Sequence, residues 1–127
     1  MLSHTFHKSE RLTGKKEFED LFENGKSFSV PPLRFIWLKS EHDPAHAVRI
    51  GISVPKKLFS KSVERNKLKR RIREAYRRNK HEFYEFLKKK NLTVDMIVIY
   101  TAKAESSYSE IEQKMIVSLQ KLIALIK

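Results

Sequence analysis

Val94 to Tyr100 reads V-D-M-I-V-I-Y, a run that is almost continuously apolar and rich in β-branched residues. Side chains alternate between the two faces of a strand, so a run with apolar residues at successive positions must be covered on both sides. It predicts a central strand buried on both faces. Upstream, Val48, Ile50, Ile52 and Val54 alternate with Arg49, Gly51 and Ser53, the pattern of a half-buried strand whose second face is open or closely approached at Gly51. Leu33 to Lys39 is rich in bulky β-formers, with Leu33, Phe35 and Trp37 on one face and Arg34, Ile36 and Leu38 on the other. Pro31-Pro32 breaks any strand begun at Ser27, and the polar run Ser40 to His46, with Asp43-Pro44, predicts a loop.

Helical periodicity accounts for the rest. Thr13 is placed to cap a first helix whose Phe18, Leu21 and Phe22 form an i, i+3, i+4 face, with Asn24-Gly25 ending it. Those phenylalanines either belong to the core or line a groove. A long helix starts near Lys61 or Ser62, bends near Asn79 and gives way to a shorter one carrying Phe83, Phe86 and Leu87. The last helix opens on a capping box, Ser109 with Glu112, and carries the stripe Ile111, Met115, Leu119, Leu122 and Ile126, widened by Ile116 and Ile123. A small sheet needs helical cover, so this stripe is expected to pack on the sheet rather than on a membrane or a partner. The predicted order is α-β-β-α-α-β-α: a single α+β domain over residues 13–127, with helices covering a central sheet, behind a flexible arm at residues 1–12.

Charge is concentrated on the long helix. Lys61 to Arg78 holds nine Lys or Arg against Glu64 and Glu74, which is +7 of the chain's net +12. At 100° per residue, Arg65, Asn66, Lys69, Arg70, Arg73 and Arg77 fall within an arc of about 140° that contains no acid. Leu68, Ile72, Ala75 and Tyr76 supply the apolar side, and Lys67, Arg71, Glu74 and Arg78 a mixed one. The guanidinium fork matches phosphate oxygens, so an Arg-rich face of one sign suits a polyanion better than water. The polyanion is a nucleic acid or an acidic membrane surface, and nucleic acid is favoured. No helix-turn-helix or dimer seam for reading a DNA major groove is visible, whereas aromatics and a sheet beside a basic helix suit single strands and irregular RNA.

Other chemistries find little support. The chain has no cysteine, hence no disulfide or thiolate metal site. His42 and His46 flank Asp43, and His4 and His7 precede Glu10, but neither set sits on a framework that would hold ligand or acid-base geometry. With three glycines and no G-x-x-x-x-G-K-[ST] motif, a phosphate-cradling loop is also missing. No catalytic or metal-binding residue is assigned. The first residues lack the apolar core of a signal peptide, and no stretch is long and apolar enough to span a bilayer, so a soluble cytoplasmic chain is expected.

Glu64 to Arg77, E-R-N-K-L-K-R-R-I-R-E-A-Y-R, closely resembles the R-N-x-x-K-R-x-x-R signature of the bacterial ribonuclease P protein subunit. The resemblance extends upstream through Gly51-Ile52-Ser53-Val54-Pro55-Lys56-Lys57 to Arg11-Leu12, Phe18, Phe22 and Gly25, and so covers most of the chain in order. It implies a fold like ribosomal protein S5 domain 2, with a left-handed crossover between parallel strands against the usual hand. It also implies membership of a ribonucleoprotein endonuclease, a hydrolase whose catalytic RNA removes the 5′ leader from precursor tRNA, with magnesium held mainly by the RNA. Carried over residue by residue, Arg65, Asn66, Lys69, Arg70 and Arg73, together with Arg77 of the same helix face, contact the catalytic RNA. Lys56 and Lys57 match the family's basic pair beside that helix, while Phe18 and Phe22 stack on the leader in a cleft between the sheet and the first helix. The expected partners are the catalytic RNA and precursor tRNA, with no membrane and no small-molecule substrate.

Two departures accompany the match. Leu58 to Ser62 lacks the glycine of the family's usual turn and is one residue longer. The strand position that often carries a cleft aromatic holds Leu38, with Trp37 pointing to the opposite face.

Overall fold

The computed structural model describes residues 12, 14–41 and 46–127. In chain order the elements are α1 (Lys15–Asn24), β1 (Lys26–Val30), β2 (Leu33–Ser40), β3 (Val48–Ser53), α2 (Ser62–Asn79), α3 (His81–Lys90), β4 (Thr93–Tyr100) and α4 (Tyr108–Ile126). The strands form one sheet in the order β1-β2-β4-β3. The near-continuous apolar run is thus the interior strand β4, antiparallel to β2 and parallel to β3. Every residue of β4 from Val94 to Val98 is buried.

Strand alternation sorts the sheet into two faces. Phe35, Trp37, Val48, Ile50, Met96, Val98 and Tyr100 enter the main core, where they meet α2, α3 and α4. Ile36 and Ile97 enter a smaller cluster with Leu21 of α1 and Leu12, and Phe18, Leu38 and Ile99 pack around it. Trp37 and Leu38 therefore face opposite sides, as the alternation predicts. The Leu12 amide donates to the Ile50 carbonyl at 2.9 Å and its side chain is buried. Leu12 thus belongs to the folded domain rather than to an arm; residues 1–11 and Thr13 lie outside the described residues. The residue preceding α1 is Gly14, which makes no side-chain cap.

Two local expectations are corrected. Pro31-Pro32 does end a strand that contains Ser27, but that strand is an element missing from the predicted order: β1 pairs antiparallel with β2 from Lys26↔Trp37 to Val30↔Leu33, and Pro31-Pro32, joined by a cis peptide bond, form the turn between them. Proline lacks a donor only at its own position, so an edge strand can form right up to it. The order thereby gains one strand within the same α+β class.

The capping box of α4 is Ser107 with Glu110, not Ser109 with Glu112. Both pairs have the S-x-x-E spacing, and tertiary contacts choose between them. Ser106 N donates to the Tyr100 hydroxyl at 3.0 Å, which fixes the chain just before Ser107. The Glu112 carboxylate is already engaged by the Tyr108 hydroxyl at 3.0 Å and by Asn79 Nδ2 at 3.1 Å. Replacing Ser107 by Ala is expected to cost about 1 kcal/mol of unfolding free energy, and Ser109→Ala close to nothing. Chemical denaturation distinguishes the two, and equal losses would contradict the assigned cap.

Candidate nucleic-acid interface

The basic helix is held by its apolar side. Leu68, Ile72, Ala75 and Tyr76 are buried in the main core, and the Tyr76 hydroxyl donates to that of Tyr84 at 2.9 Å. Burying a Leu or Ile side chain is worth about 1.5–3 kcal/mol, so these anchors set the rotation of α2 about its own axis. Asn66 and Arg70 are consequently exposed, and Arg65, Lys69, Arg73 and Arg77 are half-buried along the same arc.

Contacts further divide the cations. On the mixed face, Lys67 lies 3.2 Å and Arg71 3.6 Å from Glu105, and Arg71 Nη1 donates to the Ser106 carbonyl at 2.7 Å. These two residues tie α2 to the approach to α4. Arg77, in the predicted phosphate-binding arc, donates to both oxygens of Glu74, at 3.1 and 2.5 Å. That hydrogen bond holds the Glu74 carboxyl below its ordinary range and raises the Arg77 guanidinium. Arg77 thus meets a carboxylate of its own helix. Burial, and then the hydrogen bond to Glu112, raise the Tyr108 phenol beside them.

The predicted basic pair sits at the other end of the helix. Lys56 and Lys57 are exposed in the turn that leaves β3. The Pro55 carbonyl accepts from the amides of Leu58 at 3.1 Å and Phe59 at 3.3 Å. Phe59 is buried, its ring 5.8 Å from that of Tyr100. The longer, glycine-free segment is thus anchored by an aromatic side chain. Arg65 Nη1 donates to the carbonyls of Phe59 at 2.9 Å and Ser60 at 2.8 Å, linking this segment to α2.

The predicted aromatic pair divides unequally. A Cβ at Gly51 would lie 2.9 Å from Phe18 Cε1, so Phe18 rests directly on the β3 backbone and is half-buried. Phe22 is 59% exposed. Sheet register adds residues not singled out from the sequence: Ser29, Arg34, Ile99 and Ser53 lie in one row across this face. Period-two alternation could have placed each on its face, but only the strand order makes them neighbours. On the same face Arg49 makes two 2.8 Å hydrogen bonds to Asp95, whose carboxylate is nearly fully buried, and stands 4.0 Å from Glu17 of α1. The Asp95 hydrogen bond raises the Arg49 guanidinium further. This pair, invisible in local sequence, neutralises the one acid inside the central strand.

Of the histidines weighed from the sequence, His46 is described, while His4, His7, Glu10, His42 and Asp43 fall outside the described residues. Among the described residues no three His, Asp or Glu side chains are grouped so as to hold a metal ion, and no helix is long and apolar enough to cross a membrane.

Fold and site together define a small α+β domain that anchors a long amphipathic helix on a sheet and turns its guanidinium and ammonium groups outward. The chain belongs to the Ribonuclease P protein family, whose pattern matches residues 6–123. It is 37% identical over 113 residues to the ribonuclease P protein component of Porphyromonas gingivalis, covering 88% of this chain and 82% of that one. Among solved structures, it is similar to the ribonuclease P protein of Thermotoga maritima with a TM-score of 0.69 and 29% identity, over 88% of this chain and 96% of that one. The Staphylococcus aureus ribonuclease P protein gives a TM-score of 0.68 at 27% identity, over 91% and 95% of the two chains.

Glu74 on the mixed face and Glu105 on the approach to α4 both stand against cations of α2. Glu74→Gln and Glu105→Gln are each expected to tighten binding of a single-stranded RNA about two- to fivefold at low salt, since each removes a negative charge within a Debye length of the cationic arc. Fluorescence anisotropy over a salt series measures it, and the gain should vanish at high salt. Unchanged affinity would place this side of α2 away from the polyanion.

Proposed function

We propose that this chain is the protein subunit of the ribonuclease P ribonucleoprotein, binding the catalytic RNA through α2 and the 5′ leader of precursor tRNA in the cleft between α1 and the sheet. The observation that carries this reading is the orientation of α2, whose buried Leu68, Ile72, Ala75 and Tyr76 leave Asn66, Lys69 and Arg70 directed away from the core. Lys56, Lys57, Arg65 and Arg73 extend the same contact, and Arg77 joins it by exchanging Glu74 for phosphate. Cations placed between two RNAs offset the repulsion of their phosphates, and releasing counterions makes such binding strongly salt-dependent.

The hydrolysis itself is assigned to the RNA. The side chains described here do not fit a resident magnesium ion, because no three acidic or histidine groups converge. The magnesium ions are proposed to be held mainly by RNA oxygens, and this chain's part is to bind, orient and lower the magnesium requirement. The working compartment is proposed to be the cytoplasm, with no membrane and no small-molecule substrate.

The deciding experiment mixes the purified, RNA-free protein with bacterial ribonuclease P RNA and a precursor tRNA at low magnesium, beside RNA-only and protein-only controls. Cleavage at the mature 5′ end only in the mixture supports the subunit reading. Protein that binds unrelated structured RNAs equally well and leaves cleavage at the RNA-only rate, including with RNA from a matched source, would replace it with a general RNA-binding module. Cleavage by protein alone would replace it with a protein nuclease.

Within the proposed cleft, Phe22→Ala is expected to weaken binding of leader-bearing precursor about tenfold, the loss of one base-aromatic stack, while leaving mature tRNA binding and thermal stability unchanged. Phe18→Ala should lower stability as well, because its ring packs on Gly51. Arg70→Ala is expected to weaken catalytic RNA binding with the fold intact. Direct titrations with and without the leader separate these contributions.

A further inference from the structure

We infer that Arg65 is a positioning residue for the Lys56-Lys57 turn, setting where those two cations stand relative to α2; this rests on the reading of α2 and the turn as one RNA-binding surface. Arg65 lies in the first turn of α2, where the helix dipole disfavours a cation. Its guanidinium is turned instead to two backbone acceptors, with Nη1 donating to Phe59 O at 2.9 Å and Ser60 O at 2.8 Å. Side chains of a helix lean toward its N-terminus, which brings this group onto the segment entering α2. The N-cap residue Lys61 makes no side-chain cap hydrogen bond.

The gripped carbonyls are not remote from the lysines. Pro55 to Phe59 forms one turn through the Pro55 carbonyl, Lys56 and Lys57 are exposed within it, and the buried Phe59 ring pins it to Tyr100. The segment is therefore held at two points, by a ring in the core and by Arg65 from the helix. Of these, only Arg65 connects the turn to the arc that carries Lys69 and Arg70. Both hydrogens of Nη1 are used on carbonyls, while the N–H groups on Nε and Nη2 still suit a phosphate. A direct phosphate contact alone would not require the two backbone bonds.

The test has one arm without RNA and one with it. In the RNA-free protein under native conditions, Arg65→Ala is expected to speed tryptic cleavage after Lys56 and Lys57 about fivefold or more, mapped by mass spectrometry, while cleavage elsewhere keeps its wild-type rate, as for a local opening. Arg65→Lys keeps the charge, reaches the carbonyls less well and should give an intermediate rate, which keeps the test readable if the alanine variant unfolds. In the second arm, bacterial ribonuclease P RNA is titrated over a salt series with wild type, Arg65→Ala, Lys56→Ala/Lys57→Ala and the triple variant. Loss of one phosphate contact changes the salt slope by about 0.7–0.9; Arg65→Ala should change it by more than one contact, and should cost less affinity once both lysines are gone than in their presence.

Wild-type cleavage rates at the turn in Arg65→Ala, with additive affinities and a slope change of one contact, would overturn the inference and leave Arg65 a plain phosphate ligand. Faster cleavage across the whole chain in Arg65→Lys would also overturn it, making the residue a general stabiliser. Accelerated cleavage at the turn in Arg65→Ala, combined with a wild-type protein that does not bind this RNA, would uphold the positioning role and reject the proposed function instead.

Discussion

Parallel strands that lie side by side cannot be joined by a tight turn; the chain must travel back along the sheet before it can enter the second strand. Here that pair is β3 and β4, and the connection between Ser53 and Thr93 contains α2 and α3. The cationic helix is therefore the crossover itself rather than an appendage. Because β4 is hydrogen-bonded on both sides and buried along most of its length, the crossover must cover one of its faces. Leu68, Ile72, Ala75 and Tyr76 enter the core on that side, against α4 and β3, and the direction of the arginines follows from it.

The net charge of +12 acquires a direction from the same packing. Glu105 and Glu74 draw Lys67, Arg71 and Arg77 toward the α4 side of the helix. Asn66, Lys69 and Arg70 lie along the arc that contains no acid. The opposite sheet face is organised differently: α1 seals part of it through Leu21, Phe18 rests on Gly51, and Phe22 stays in solvent. A cationic side and an aromatic side are thus presented by one domain. On the aromatic side Arg49 and Asp95 form a closely hydrogen-bonded pair, the arrangement in which a carboxylate within a central strand is tolerable.

Much of this was legible in the residues. The apolar run at Val94 to Tyr100, the alternation at Val48 to Val54 and the amphipathic periodicity of α2 and α4 each depend on neighbours a few positions apart, and each formed as the periodicity predicts. The α4 cap was ambiguous because Ser107 and Ser109 both precede a Glu by three. The contacts that separated them come from Tyr100, at the end of the preceding strand, and from Asn79, distant in sequence. Edge strand β1 was hidden because its pairing depends on β2 across the Pro31-Pro32 turn rather than on its own five residues.

The sequence by itself determined which residues would be apolar, cationic or aromatic on each element, because a helix or strand repeats every few residues and needs only local chemistry to specify its faces. Tertiary structure decided what those faces meet. It set Lys67 and Arg71 against Glu105, aligned Ser29, Arg34, Ile99 and Ser53 across three strand pairings, and turned Arg65 back onto the carbonyls of Phe59 and Ser60. Whether a charge on the predicted surface is held by the protein or presented to a partner depends on distances between elements, and those exist only once the chain has folded.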